Sequence, residues 1–398
     1  MPFITLYLIN MGSTNMSNKI NIFQAAKSSG GVGIYTRRLV TALNKERFQV
    51  TVACLAEGSD EMAEELGKLE NVRALSIPMK DQIDPFLDIK VCYKLARELR
   101  NNKFDIIHAH TSKPGFFARL AAIGTDIPVI YQPANFAFHD GTSRTQANFY
   151  AMLERFSARY LTERIIAVCD GERELARRYS VGHDGLFSTI HTGIDLAPFD
   201  IQVDRAAVRS TLNIPPEVFL FGTVARLTEA KSPADFIRAV EIVHSQYPKA
   251  HFLWVGNGHL EVEARTLVSL LNLGDVFHFS GYRNDIPSIL ASLDCFVLSS
   301  HWEGFSLAVL EAMAAGLPVI STRVMGADEA ICNNETGLLV PIGDIEAMSQ
   351  AMGRLIKNPT LARVFGAAAR KRAATEFQYS RTVARIEQLY EEIYLARH

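Results

Sequence analysis

The sequence predicts an α/β chain with two parallel-sheet domains. Three observations carry this. Short β-branched runs alternate with longer helical patterns, the rhythm of βαβ units. That rhythm restarts at Phe219-Leu220-Phe221-Gly222-Thr223-Val224, after a crossing segment at 190–199. Finally, 398 residues are too many for one typical core, so two domains are the default.

The elements follow in order. Residues 1–18 read as a tail, mildly apolar but without the basic start and cleavage site of a secretory signal. Residues 19–24 read as the first strand, and Ser29-Gly30-Gly31-Val32-Gly33 as a glycine-rich turn before a helix at 34–43. Glycine lets a backbone approach a phosphate, although a plain tight turn needs the same letters. Strands are expected at 49–54 and 105–110, then a loop at 111–115 and a helix at 116–123. Strands at 128–131 and 164–168 are expected to complete the first sheet. His108 and His110 flank Ala109 at a strand end and are expected on opposite faces, as core histidines rather than zinc ligands. Residues 149–160 are aromatic and basic at helical spacing. A core-packed helix is the favoured reading over a membrane-facing one, because Glu154 and Glu163 dilute the basic face. In the second half, strands are expected at 219–224, 253–256, 295–298 and 318–321, and a last helix at 379–398.

Composition narrows the classes. Lys+Arg 41 against Asp+Glu 43 gives a net charge of −2, so no basic field points to nucleic acid. Five scattered cysteines with no CxxC pair suggest neither a disulfide framework nor a structural zinc site. No apolar run reaches membrane-spanning length. A cytoplasmic protein is expected, with a weak peripheral contact at the inner membrane face left open.

Chemistry concentrates at Glu303-Gly304-Phe305-Ser306-Leu307-Ala308-Val309-Leu310-Glu311 and the continuation to Gly316-Leu317-Pro318. Ser306 suits a helix N-cap, Gly316 the residue past the last turn, and Pro318 a stop. A helix N-terminus offers unpaired N–H groups to an anion. Flanking carboxylates fit that anion only if it carries hydroxyl-rich groups on either side, as a diphosphate between two sugars does.

This string, E-x7-E followed by E-A-M-A-x-G-x-P-V-I, resembles the family-4 glycosyltransferases, and the resemblance runs from about Lys19 to the C-terminus. It implies the GT-B fold: two Rossmann-like domains facing a central cleft, with a C-terminal helix returning to the first. The implied division is 19–197 on the acceptor side, 198–376 binding the donor, and 377–398 the returning helix. It also implies a retaining, metal-independent hexosyltransferase, and the segments 107–115 and 118–122 are similar to bacterial capsule and exopolysaccharide members. The donor best matching this is UDP-glucose, a substrate rather than a cofactor, and the acceptor a saccharide or lipid-linked saccharide.

The resemblance also implies site residues. Arg226 and Lys231, in a segment like the family's G-R-L…K-G with Ala225 and Ser232 in place of glycines, neutralise the departing diphosphate. Glu303 binds donor-sugar hydroxyls, and Glu311 binds the ribose. Backbone at Gly304, Phe305 and Ser306 supports sugar and phosphate, and Leu307 either touches the nucleotide or is core. Gly30 and Gly31 face the diphosphate. Independently of the resemblance, Gly256, Tyr282 and Arg283 are expected around the base because they lie in loops after second-domain strands. The chain departs from the family at Ala134-Asn135, where many relatives carry a histidine and a glycine; Asn135 or His139 is the candidate replacement. No D-x-D metal holder occurs. Two rival readings stay open: a nucleotide-sugar epimerase or phosphorylase, for which no added acid–base or pyridoxal lysine candidate stands out, and a non-catalytic nucleotide-sugar binder.

Overall fold

A computed structural model describes residues 19–58 and 60–398; the expected tail at 1–18 lies outside the described residues. The chain divides into two compact units, one of residues up to Ile130 with Tyr390–His398, the other Tyr131–Leu389.

The first sheet contains β1 (Ile20–Lys27), β2 (Phe48–Ala56), β3 (Val72–Pro78), β4 (Ile106–His110), β5 (Val129–Gln132), β6 (Arg164–Ala167) and β7 (Phe187–Thr189), in the order β3-β2-β1-β4-β5-β6-β7. The second contains β8 (Phe219–Val224), β9 (Ala250–Val255), β10 (Phe277–Gly281), β11 (Cys295–Leu298), β12 (Val319–Thr322) and β13 (Gly337–Val340), in the order β10-β9-β8-β11-β12-β13. The pairings are parallel; Ile22, for example, faces Val50 on one side and Ile106 on the other. This is the expected pair of Rossmann-like sheets. Each sheet is wound outward from a central pair, β1 and β4 or β8 and β11, where the chain reverses its direction of travel across the sheet. Ligands of such sheets bind beyond the carboxyl ends of those central strands.

Strands 128–131 and 164–168 do not complete the first sheet as expected. Three-residue β7 lies beyond them, and β3 forms the opposite edge. The first helix also begins earlier than expected, at Gly30. The opening turn of a helix has no intrahelical acceptors for its N–H groups, so glycines there cost little. Gly30 takes φ +71°, and a Cβ on Gly33 would sit 2.1 Å from the Ser28 carbonyl oxygen.

His108 and His110 are buried, as expected, but on one face rather than two: their rings lie 4.1 Å apart. The strand period is two, so residues i and i+2 share a side. His108 Nδ1 lies 2.6 Å from the Tyr390 hydroxyl, and His110 Nε2 lies 3.1 Å from Gln24 Oε1. Tyr390 belongs to the Tyr379–Leu395 helix, whose last turns pack on this unit as expected of the C-terminal helix. Arg47 there pairs with Glu391.

The Arg144–Tyr160 helix packs on a core, as expected, through Ala147, Ala151 and Ala158 against Tyr131, Phe136, Phe138 and Leu175. Its outer face departs from the ordinary charged one: Phe149, Met152, Phe156 and Tyr160 are half or more exposed. Among the described residues no helix is long and apolar enough to cross a membrane.

Candidate active site

The carboxyl ends of β8 and β11 gather most of the predicted residues within the second unit. After β8 comes Ala225-Arg226-Leu227, then a 3-10 turn over Glu229–Lys231. Ser232 closes that turn at φ 42° and ψ 67°, left-handed angles that the family's glycine would take without strain. Loss of that glycine is offset by hydrogen bonding. Ser299 Oγ, just past β11, donates to the Lys231 carbonyl at 2.8 Å and the Ser232 carbonyl at 3.1 Å. The His301 N–H donates to the Ala230 carbonyl at 2.8 Å. The two loops at the sheet's switch point are thus tied to each other.

That tie brings Lys231 and Glu303 into an ion pair, both mostly buried. Ser300 Oγ donates to Glu303 Oε1 at 2.9 Å. Arg226 is exposed, and among the described residues no carboxylate pairs with it. Gly304 continues the loop with no room for a side chain: a Cβ would sit 2.6 Å from the Ala134 carbonyl oxygen. Ser306 is the N-cap of the Leu307–Ala314 helix, as expected, although its hydroxyl makes no capping bond. Phe305 is buried, its ring tilted against those of His191 and Phe377 with centroids 5.2 and 5.4 Å away, so it anchors the loop through its side chain. Glu311 is partly buried on that helix, and Leu307 at its start is partly exposed. The helix ends as read: Gly316 takes φ +76°, its N–H bonds to Met313 O and the Leu317 N–H to Ala312 O, the paired bonds of a Schellman cap.

The β9 loop packs backbone to backbone against the β8 loop. Gly256 has φ +129°, and a Cβ there would lie 2.2 Å from the Ala225 carbonyl oxygen; one on Gly258 would lie 2.2 Å from the Leu227 carbonyl oxygen. Trp254 Nε1 donates to the Ala225 carbonyl at 2.9 Å. Gly256 N donates to Gly281 O at 2.8 Å, which sets the adjoining Tyr282 and Arg283 beside this loop. Tyr282 is exposed, and the Arg283 guanidinium is engaged by Asp285 at 2.8 and 2.6 Å.

The segment that departs from the family takes glycine-like backbone angles. Ala134 has φ 56° and Asn135 φ 141°, a conformation suited to glycine and costing roughly 1–3 kcal/mol for other residues. Its support is Glu172, fully buried, whose Oε2 accepts the Val168 N–H at 2.8 Å. Burial pushes the Glu172 carboxyl up to about 8, while the Val168 and Asn135 N–H groups pull it down less strongly. His139 stacks on Trp302, ring centroids 5.2 Å apart and planes 15° from parallel. Burial holds its imidazole below the ordinary range, against the opposite pull of Asp140. His139 therefore does reach the Glu303 loop, through its neighbour Trp302.

Some residues escaped the sequence reading. Glu329 accepts the Asp170 and Gly171 N–H groups at 2.9 Å each and lies 2.7 Å from His191 Nε2. Burial pushes Glu329 upward, but hydrogen bonds from His191, Asp170 and Gly171 prevail and leave it below its ordinary value. The preceding Gly326, at φ +74°, packs on the Gly304 carbonyl. Only Gly326 itself, a glycine opening a helix, was a signal in the sequence. A pocket of about 440 Å³, lined by Ser232, Pro233, Leu260, Ala264, His301 and Trp302 among others, opens at the same corner. Among the described residues no cluster of three His, Cys, Asp or Glu could hold a metal ion.

Two family models match this chain: "Glycosyl transferase 4-like domain" over residues 30–193 and "Glycosyl transferases group 1" over residues 204–372. The chain belongs to the family-4 GT-B glycosyltransferases. Among curated relatives, it is 29% identical over 386 residues to the Escherichia coli UDP-Gal:alpha-D-GlcNAc-diphosphoundecaprenol alpha-1,3-galactosyltransferase, covering 96% of this chain and 98% of that one. It is 27% identical over 340 residues to the capsular polysaccharide biosynthesis glycosyltransferase CapM of Staphylococcus aureus, covering 82% and 87%. Among solved structures, HepE of Anabaena in complex with UDP and glucose superposes with TM-score 0.78 at 18% identity, covering 94% of this chain and all of that one. Sucrose-phosphate synthase of Thermosynechococcus elongatus reaches TM-score 0.82 at 22% identity, covering 95% of this chain and 100% of that one.

Proposed function

We infer that this glycosyltransferase is a retaining hexosyltransferase of bacterial polysaccharide assembly, moving glucose from UDP-glucose to a saccharide or lipid-linked saccharide. The observation that carries it is the Lys231–Glu303–Ser300 cluster at the β8/β11 switch point, beside the Leu307–Ala314 helix N-terminus. In this reading Glu303 exchanges Lys231 for hydroxyls of the donor sugar. Lys231 then turns to the diphosphate with Arg226 and the helix N–H groups at 306–308. Cations and dipoles fixed where negative charge grows lower the barrier to C1–O cleavage, with no metal in that role. The leaving phosphate oxygen accepts the proton of the acceptor hydroxyl on the face it has vacated, so configuration is retained. Glu311 holds the ribose, Gly256, Tyr282 and Arg283 surround the base, and on the first sheet Gly30 and Gly31 serve phosphate. The functional division follows 19–197, 198–376 and 377–398.

The relatives support saccharide transfer in envelope polysaccharides, since one is named for galactose transfer to a diphosphoundecaprenol-linked sugar and another for capsule synthesis. Their donors differ, and another is named for N-acetylgalactosamine transfer. The test is a panel of UDP-sugars assayed for hydrolysis and transfer, in EDTA and in magnesium. UDP-glucose turnover in EDTA is expected, with Lys231→Ala and Arg226→Ala each costing roughly 2.7–4 kcal/mol of barrier, a rate loss of about 10²–10³. Preference for UDP-galactose or UDP-N-acetylgalactosamine would overturn the donor, and a magnesium requirement the metal-free mechanism. The absence of the family histidine at Ala134 favours one second reading, a nucleotide-sugar binder; binding without hydrolysis or transfer would establish it.

A further inference from the structure

No step proposed for transfer uses the pocket of about 440 Å³ beside the switch-point loops. Its apolar lining is Pro233, at the start of the Pro233–Gln246 helix, with Leu260, Ala264 and Leu267 at the Glu261–Leu270 helix. His301 and Trp302 form a further wall, and both come from the loop after β11 that continues into Glu303. Glu229 and Glu263 stand exposed at the rim. The volume falls among small-molecule sites, roughly 300–1,000 Å³, and an apolar lining with a few polar groups is their usual make-up.

The ionisable side chains there accept rather than donate. His301 Nε2 donates to Asp235 Oδ2 at 2.6 Å, since a carboxylate only accepts. In the neutral ring this leaves Nδ1 as an acceptor, with no partner among the described residues. Glu263 has no partner among them either, and Glu229 is engaged by His259 at 2.9 Å. Among the described residues no Lys or Arg lines the pocket. A phosphate or nucleotide would meet two carboxylates and no cation, which disfavours anions. The matching ligand is neutral, donates several hydrogen bonds and has an apolar body. A pyranose in its chair form is all three: its axial C–H groups present an apolar face to an aromatic ring, and its equatorial hydroxyls donate outward.

The geometry points to an accessory saccharide site, in which a neutral pyranose lies against Trp302 and donates hydroxyl hydrogens to Glu263 and His301. Its source is a sugar of the acceptor chain other than the one that reacts. Trp302 makes the link to the chemistry. His139 stacks on its ring, a Cβ on Gly141 would lie 2.6 Å from it, and the next residue in the chain is Glu303, paired with Lys231. A sugar held on Trp302 therefore steadies the loop that carries Glu303 while it anchors the acceptor. That use rests on the proposed transferase reading; pyranose binding itself does not.

The test is saturation-transfer NMR on the full chain with UDP present. The probes are free glucose, methyl α-glucoside, methyl α-galactoside and methyl N-acetyl-α-glucosaminide, with a glucose monophosphate and choline as charged controls. Transfer to a neutral methyl glycoside is expected. The same titration should change tryptophan fluorescence, because Trp302 is partly exposed whereas Trp254 is fully buried. Ala264→Leu fills the pocket and should weaken binding roughly tenfold or more. Glu263→Ala removes an acceptor at the exposed rim and should weaken it roughly three- to tenfold, which decides the matter if Ala264→Leu does not fold. Both variants should keep the UDP-dependent rise in melting temperature and the hydrolysis of UDP-glucose. A wild type that binds the glycoside without hydrolysing any donor would sink the transferase reading and leave this site standing. No transfer to any neutral glycoside, equal transfer in wild type and both variants, or tighter binding of the glucose monophosphate or choline would overturn the site. Binding of free glucose but of no methyl glycoside would overturn the acceptor-chain assignment and make released sugar the occupant.

Discussion

Single residues here act through what their burial makes expensive. Glu172 shows this most plainly. It is fully enclosed, sits under a backbone segment in glycine-like angles, and holds its proton up to about pH 8. The sign follows from linkage. The unfolded chain releases this proton near 4.5, the folded chain near 8, so between those values the unfolded state binds fewer protons and stability falls as pH rises. The loss amounts to roughly 4–5 kcal/mol, complete above the upper value. Glu172→Gln removes the titration. Chemical denaturation from pH 5 to pH 8 should show wild type losing stability relative to Glu172→Gln, and parallel curves would refute the raised carboxyl. The motif residues Arg226, Lys231, Glu303 and Glu311 were legible in one sequence because their spacing is a chemical pattern. Glu172 and Glu329 were not, because their partners at 135, 168, 170 and 191 come together only in the folded chain.

Among elements, burial on both faces decided what could be read. Phe219–Val224 and Cys295–Leu298 form the centre of the second sheet, are almost wholly buried, and appear as runs of mostly apolar residues with Thr223 the one polar interruption. The strands that escaped the reading, β3, β7, β10 and β13, are the four sheet edges. An edge strand packs less and mixes polar residues into its pattern, as in Val72–Pro78 with its exposed Arg73 and Ser76, or in the three-residue Phe187–Thr189. Loop glycines make a sharper prediction. Gly316→Ala changes only a helix cap, where a Cβ would meet nothing nearer than the Arg370 Cδ at 3.9 Å, so it should cost about 1–2 kcal/mol of stability and little turnover. Gly256→Ala forces a Cβ into the Ala225 carbonyl and should displace the β8 loop that carries Arg226. Its turnover should fall far more than its melting temperature predicts; equal effects from the two substitutions would refute the claim that this backbone contact sets the site.

For the whole molecule, two doubly wound sheets explain why the chemistry falls where it does. Each sheet has its own reversal of strand order, and in the second that reversal alone brings loops 225–232 and 299–306 together across about seventy residues of sequence. Everything proposed about transfer follows from a nucleotide diphosphate seated there and neutralised by protein groups. The most direct measurement is the melting temperature of wild type and Lys231→Ala with increasing UDP in EDTA. A ligand at a hundred times its dissociation constant stabilises by about 2.7 kcal/mol, so wild type should rise by several degrees and Lys231→Ala should need much more UDP for the same rise. No rise in wild type at saturating UDP, or an identical response in both proteins, would contradict the account.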